Sequence, residues 1–275
     1  MTWDKRSQGP PGFDSHVASA ARVYDYLLGG KNNFPADREA AAAMIREYPY
    51  IVKGVRMNRA FLGRAIHYLA AGAGIRQFLD IGTGLPSSNN THEVAQRAAA
   101  DSRIVYVDND PIVLSHVQAL LSSTPEGACA YIAADLRDTD TILREAARTL
   151  DFSQPVAVCL IMVLQFIPDE DDPWRITRTL IDAVPPGSYL MVAHPASDIA
   201  EEVEPTFRQL NTRMGGTRVK ARGHQEVARF FEGLEMLEPG LVQLHRWRPG
   251  EGVPDSGRDL AAYGGVGVKR AAELI

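Results

Sequence analysis

The sequence has few cysteines and no long apolar run. Only two cysteines, Cys129 and Cys159, occur in 275 residues, and both lie in apolar segments. Neither has a partner at a spacing typical of a metal site, so we interpret both as buried reduced thiols and predict no metal centre. No apolar stretch reaches the ~18 residues of a membrane-spanning helix, and no charged-then-apolar leader is present. We therefore expect a cytoplasmic protein.

An excess of positive charge is also missing. The chain has 29 basic and 34 acidic residues, for a net charge of −5. Nucleic acids and anionic membranes select a basic face, so neither is expected as a partner, whereas a homodimer stays open. The sequence also lacks a Ser-His-Asp arrangement, HExxH and CxxC motifs, and a P-loop lysine after its glycines. Hydrolytic, zinc, thiol-redox and nucleotide-triphosphate sites therefore have no support.

The sequence FLDIGTGLP, at residues 78–86, joins a strand pattern to a helix pattern. The apolar run at 75–81 predicts a buried strand, and residues 91–100 predict a helix. Between them, Gly82 and Gly84 allow a ligand to approach the backbone without meeting a Cβ atom. In open α/β sheets such a turn places its ligand outside the carboxyl end of the strand.

Polar residues close the neighbouring strand patterns as well. Asp108 ends the run IVYVD, 24 residues after Gly84, close to the ~20-residue spacing at which a carboxylate meets a ribose in dinucleotide folds. Asp135 follows a third apolar run, and Gln165 follows the run at 156–164. Together with Asp80, these side chains can offer the acceptors that ribose hydroxyls and an exocyclic amine require. The pattern therefore predicts a nucleoside site at one edge of the sheet.

The order of these motifs resembles that of class I S-adenosylmethionine-dependent methyltransferases. The segments are FLDIGTG, VYVDND, AADLRD, LIMVLQFIPDEDDP and PPGSYLMVAH. More closely, the chain is similar to the S-adenosyl methyltransferase family that was first catalogued as a domain of unknown function. The segments that carry this similarity are ARVYDYLLGGKNNFPADREA, RMNRAFLGRAIHYL and YGGVGVK. The resemblance spans roughly residues 15 to 270.

The resemblance implies an α/β fold with a Rossmann-like, seven-stranded sheet. The sheet is expected to be mostly parallel, with an antiparallel last strand and helices on both faces. We predict a mobile tail at 1–14, an N-terminal helical cap at 15–74 and the core at 75–275. An insertion at about 195–223 is expected on the acceptor side.

The resemblance also implies a cofactor, S-adenosyl-L-methionine. Asp108 would bind the ribose hydroxyls, Asp135 would accept from the adenine amino group, and Leu136 would offer its backbone N–H to the ring. The predicted cofactor-binding residues are Tyr24, Arg59, Asp80, Gly82, Gly84, Asp108, Asn109, Asp135, Leu136 and Met162.

For catalysis, the resemblance implies methyl transfer to an unidentified acceptor, which we expect to be a small molecule. His194, expected just past the fifth strand, is the predicted general base, and a structural histidine is the alternative. Gln165 is predicted to orient the acceptor or the methionine part of the cofactor. If the acceptor is anionic, the basic cluster of the insertion would receive it, namely Arg213, Arg218, Lys220 and Arg222.

Two other functions remain open at this point. Pro86 has no N–H, and Ser87 stands where GxGxxG has its third glycine. Because that glycine provides close helix–strand packing in dinucleotide folds, its loss argues against an NAD(P)-dependent oxidoreductase. The second alternative is a non-catalytic regulator that binds S-adenosylmethionine or another nucleoside.

Overall fold

The computed structural model describes residues 14–87, 89–110, 112–113, 123–250 and 259–271. Apart from Asp14, the predicted tail lies outside the described residues. No helix in these ranges has both the length and the apolar character needed to cross a membrane.

Three helices precede the first strand. They are α1 (Ala20–Leu27), α2 (Pro35–Glu47) and α3 (Ile51–His67), and α3 runs on into a π-helical turn at Tyr68–Gly72. Val23, Leu27, Met44 and Val55 from these helices pack with Leu210, which comes from a much later segment. The cap and the insertion therefore share one apolar core, which is separate from the two apolar clusters of the sheet.

The sheet contains eight strands in the order β3-β2-β1-β4-β5-β8-β6, with β7 paired to β8. Their bounds are β1 Gln77–Ile81, β2 Arg103–Asp108, β3 Ala128–Ala133, β4 Ala157–Ile161, β5 Tyr189–Pro195, β6 Glu235–Met236, β7 Val242–Gln243 and β8 Ala262–Val268. Strands β1 to β5 are parallel, and β8 runs antiparallel to β5. The predicted count of seven was one too low, because two short strands, β6 and β7, both pair with β8.

Helices cover both faces of this sheet. They are α4 (Thr91–Ala98), α5 (Thr139–Ala146), α6 (Pro173–Asp182) and α8 (His224–Ala228), whereas α7 (Val203–Asn211) packs against the cap. Leu79 of β1 packs in one apolar cluster and Phe78 packs in the other, and all five residues of β1 are buried. Burial on both faces explains why the central parallel strands are mostly apolar. The predicted α/β, Rossmann-like class is confirmed.

One local prediction was wrong, and one helix was not predicted at all. The apolar run at 156–164 is not one strand, because β4 ends at Ile161 and Met162 turns to the left-handed φ of 54°. A 3-10 turn at Leu164–Phe166 follows. Within the insertion, weak periodicity concealed the helix α7.

Candidate functional site

A cavity of about 1500 Å³ lies between the carboxyl ends of β1, β2 and β4 and the helical cap. Its sheet wall comes from the glycine turn and from the polar residues that follow the strands. Its opposite wall comes from α1, α3 and the insertion. All the predicted cofactor residues line this cavity, namely Tyr24, Arg59, Asp80, Gly82, Gly84, Asp108, Asn109, Asp135, Leu136 and Met162.

The glycine turn forms the floor of the cavity. Gly82 has a φ of 77°, and a Cβ atom there would lie 2.4 Å from the Val163 side chain. Gly84 has a φ of 64°, and a Cβ atom there would meet nothing within 4 Å. Gly82 must therefore lack a side chain for β1 to pack against the loop after β4. Gly84 leaves the space above the turn open to a ligand.

Asp108 is held by backbone amides on both carboxylate oxygens. Gly84 N donates to Oδ2 at 2.8 Å, and Asp110 N donates to Oδ1 at 2.9 Å. Each oxygen keeps further acceptor capacity for two adjacent hydroxyl groups. Burial raises the pKa of Asp108, and these amide hydrogen bonds partly offset it. Asp110 in turn accepts a hydrogen bond at 2.8 Å from Ser19 Oγ of the cap segment.

Asp80 is the most deeply buried carboxylate of the sheet wall. It is 6% exposed, and Thr91 Oγ1 donates to its Oδ2 at 2.6 Å. Burial raises its pKa to about 6, although the Thr91 hydrogen bond and the charge of Arg59 act in the opposite direction. A cation bound in the cavity would favour the charged form of this group.

Asp135 belongs to an ion-pair network that the sequence did not indicate. Arg137 donates to both of its oxygens at 3.0 Å, and Asn109 Nδ2 donates to Oδ2 at 3.0 Å. Burial alone would raise the pKa of Asp135, but the hydrogen bonds and charge of Arg137 lower it. Arg137 also contacts Asp171 at 2.6 Å, so it joins the loop after β3 to the loop after β4. Leu136 beside them is buried in the adjoining apolar cluster.

The loop after β4 places Met162 and Gln165 at the cavity. Met162 holds a left-handed φ, which costs free energy for a residue with a side chain, and its N–H donates to Ala193 O at 2.9 Å. Gln165 is 8% exposed, and its Oε1 is buried without a hydrogen-bond partner among the described residues. Strained backbone and an orphaned acceptor both point to a ligand at this loop.

The cap contributes Tyr24 and Arg59. Tyr24 donates its hydroxyl proton to Val55 O at 3.2 Å and accepts from Asn58 Nδ2 at 2.8 Å, and burial raises its pKa. Arg59 donates to Asn89 O at 2.9 Å, beyond the glycine turn. Asn58 was not predicted as a site residue. The signal was present, because Asn58 is a polar residue on the apolar stripe of α3.

His194 is not where the sequence placed it. It lies within β5, not past its end, and it is fully buried. Its Nδ1 is 2.8 Å from Pro195 O, its Nε2 is 3.0 Å from Arg222 Nη1, and it does not line the cavity. Burial lowers its pKa to about 3. This geometry does not suit the predicted general base, because neither ring nitrogen can reach an acceptor in the cavity.

The structure also separates the members of the predicted basic cluster. Arg222 is buried and Lys220 is half-buried, and both pair with Asp169. Arg218 remains at the cavity lining. Of the predicted cluster, an anionic acceptor would therefore meet Arg218 alone, although Lys31, Arg56, Arg59 and Arg137 from other segments also line the cavity.

The residues present fit a nucleoside ligand. The fit rests on the open space above Gly84, the remaining acceptor capacity of Asp108 and the unsatisfied Oε1 of Gln165. In the described residues, no group of His, Cys, Asp and Glu side chains is arranged to hold a metal ion.

Comparisons with known proteins found matches over nearly the whole chain. A family model described as S-adenosyl methyltransferase matches residues 6–270. A crystal structure of a DUF574 family protein from Streptomyces avermitilis MA-4680 is 48% identical, with 93% of this chain and 99% of that chain covered and a TM-score of 0.90. A protein from Thermobifida fusca YX, provisionally described as a methyltransferase, is 39% identical, with 96% and 99% covered and a TM-score of 0.87.

A more distant structure shares the fold alone. The plantazolicin methyltransferase BamL, crystallised with a triazolic desmethylPZN analog and SAH, is 11% identical, with 92% of this chain and 96% of that chain covered and a TM-score of 0.52. A search of curated proteins found no match.

Proposed function

We propose that this chain, which belongs to the S-adenosyl methyltransferase family, methylates a small, largely apolar molecule. The chain is an S-adenosylmethionine-dependent methyltransferase, and its cofactor is S-adenosyl-L-methionine. The comparisons favour neither the oxidoreductase nor the non-catalytic regulator. The acceptor is the part of the function that we infer from the cavity.

The observation that carries this proposal is the difference between the two walls of one cavity. The sheet wall carries the carboxylates Asp80, Asp108 and Asp135, whereas the insertion supplies a mostly apolar wall. The apolar residues of that wall are Val203, Phe207, Leu210, Met214 and Val219. The volume of about 1500 Å³ exceeds the roughly 300–1,000 Å³ typical of a site for one drug-sized ligand. A cofactor on the sheet wall therefore leaves room for an apolar acceptor beside it.

The residues of the sheet wall would hold the cofactor. Asp108 would accept from the ribose hydroxyls, and Asp135 and Leu136 would flank the adenine. Asp80 would face the positively charged amino-acid part, which is consistent with a pKa that a nearby cation would lower. When bound, S-adenosylmethionine supplies a methyl group already activated on a sulfonium. The protein's remaining task is to position the acceptor and exclude water.

The cavity offers few groups that could act as a general base. No histidine or cysteine of the described residues lines it. Tyr24 already donates its proton to Val55 O, and burial raises its pKa. We therefore propose that the acceptor reacts through an atom that is unprotonated near neutral pH. The engaged carboxylates of the sheet wall would serve the cofactor.

The test starts with a titration of the protein with S-adenosylhomocysteine, and with NAD as the control. The protein is then incubated with methyl-labelled S-adenosylmethionine and fractionated cell metabolites. We expect binding of S-adenosylhomocysteine but not NAD, and label in apolar, solvent-extractable small molecules. Label found only in protein or nucleic acid would contradict the small-molecule acceptor. Failure to bind S-adenosylhomocysteine would contradict the cofactor site.

A further inference from the structure

Arg222 is a fully buried cation at the end of the insertion, and it reaches across to the loop after β4. Its Nη1 donates to Leu164 O at 3.0 Å, and its Nη2 donates to Ile167 O at 2.8 Å. Nη2 also donates to Asp169 Oδ1 at 2.8 Å. One guanidinium therefore bonds to three residues of the six-residue loop 164–169. Only a planar group with several donors can do this, and a lysine ammonium cannot reproduce it.

His194 provides a fourth hydrogen-bond partner for Arg222. Arginine has donors only, so the Nη1···Nε2 contact at 3.0 Å requires Nε2 to be an acceptor. The other ring nitrogen, Nδ1, must then carry the proton and donate it to Pro195 O at 2.8 Å. The imidazole is therefore neutral and fixed in one tautomer. The pKa of His194 is also lowered, because burial and the neighbouring Arg222 charge both oppose protonation of the ring.

The backbone joins the same two segments. Lys220 N donates to Gln165 O at 2.9 Å, and Arg222 N donates to Pro195 O at 3.2 Å. Ser197 N donates back to Arg222 O at 3.2 Å. The two ends of the insertion, near 196 and near 221, therefore pair with each other, and the second end also bonds to the loop after β4.

We propose that Arg222 is a positioning residue that holds the loop 164–169 and the insertion as one rigid unit. Gln165 and Phe166 from this loop line the cavity, as do Phe207 and Val219 from the insertion. Arg222 itself does not line it. It therefore acts through the residues it holds: it fixes the cofactor side and the acceptor side of the cavity relative to each other. The ligand in this inference comes from the proposed function, whereas the contacts of Arg222 do not depend on it.

The experiment compares Arg222→Met with the wild type by hydrogen exchange and by titration with S-adenosylhomocysteine. Two amides report on the unit, Ile167 N and Lys220 N, because both donate within it. In Arg222→Met we expect both amides to exchange at least about tenfold faster and the affinity to fall about tenfold, with exchange in β1 unchanged. Arg178→Met is the control, since Arg178 forms only an exposed ion pair with Glu232 at 3.4 Å.

A second pair of variants keeps the test valid if Arg222→Met does not fold. His194→Gln retains an acceptor for Arg222 Nη1, and His194→Ala removes it. We expect faster loop exchange and weaker S-adenosylhomocysteine binding in the alanine variant, and restoration of both in the glutamine variant. A role in general stability alone would speed exchange evenly across the sheet, and that result would overturn the proposal. So would a loosened loop that binds S-adenosylhomocysteine as tightly as the wild type.

The two proposals can fail separately. If the wild type does not bind S-adenosylhomocysteine, the proposed function fails. The local exchange at Ile167 and Lys220 then decides alone whether Arg222 holds the unit together.

Discussion

Asp80→Asn should stabilise the fold while it weakens cofactor binding. In the wild type, Asp80 is buried and accepts a hydrogen bond from Thr91 Oγ1 at 2.6 Å. Asparagine has nearly the same shape and keeps an oxygen acceptor for that hydroxyl group. The substitution therefore removes a charge from a buried site without removing the hydrogen bond.

The magnitude follows from the pKa of the carboxyl group. Folding raises it from 3.8 to about 6, a shift of about two units, and each unit corresponds to about 1.36 kcal/mol. The charged form of Asp80 therefore lowers the free energy of unfolding by about 3 kcal/mol at pH 7.5. The native state holds this proton more tightly than the unfolded state, so wild-type stability falls as the pH rises from about 4 through 6. Above pH 6 we expect the free energy of unfolding of Asp80→Asn to exceed that of the wild type by up to this amount. The difference should disappear as the pH falls towards 4.

Chemical denaturation at pH 7.5, 6 and 4.5 measures the gain, and calorimetric titration with S-adenosylhomocysteine at pH 7.5 measures the loss of binding. Asp140→Asn is the control, because Asp140 is exposed and its charge loss should not change stability with this pH dependence. A variant less stable than the wild type at pH 7.5, or a difference that does not vary with pH, would refute the reasoning. Unchanged affinity for S-adenosylhomocysteine would remove Asp80 from the cofactor site.

Three further outcomes are expected. Asp108→Ala should weaken S-adenosylhomocysteine binding about tenfold to a hundredfold by calorimetry, since hydrogen bonds to a charged group contribute about 1.5–3 kcal/mol; circular dichroism should show the sheet still folded, and undiminished affinity would argue against the ribose role. Gly82→Ala should lower the melting temperature and abolish binding, because the new Cβ would lie 2.4 Å from the Val163 side chain; a variant that melts and binds as the wild type does would contradict this. Arg22→Met should destabilise the protein by about 3–5 kcal/mol in urea unfolding, because buried Asp37 keeps the N–H donors of Ser19 and Phe34 but loses its cation at 2.8 Å. A loss below about 1 kcal/mol would show that the pair is not desolvated.

Local patterns in the sequence predicted the sheet edge well. Asp80, Asp108 and Gln165 each follow or close an apolar run, and parallel strands must bring such positions to one edge. Gly82 and Gly84 could also be predicted from the sequence, because a turn that lies against a ligand needs residues without a Cβ atom.

Residues whose environment depends on distant segments were not predictable in this way. His194 could be placed near the fifth strand, but only the tertiary structure shows that Arg222, 28 positions later, occupies its Nε2. No local pattern indicated that Arg137 bridges Asp135 and Asp171. The helix α7 was missed because its apolar side packs partly on the cap, whose position the local pattern does not contain.

The cavity draws its walls from nearly the whole length of the chain. Tyr24 near one end and Ala262 near the other both line it, with the strands of the sheet between them. A chain that stops before β8, as during synthesis, has only part of the pocket and should not retain the cofactor. Ligand binding therefore favours the finished, fully assembled molecule over any partly folded form, and proteolytic protection by S-adenosylhomocysteine should extend to the cap as well as to the sheet.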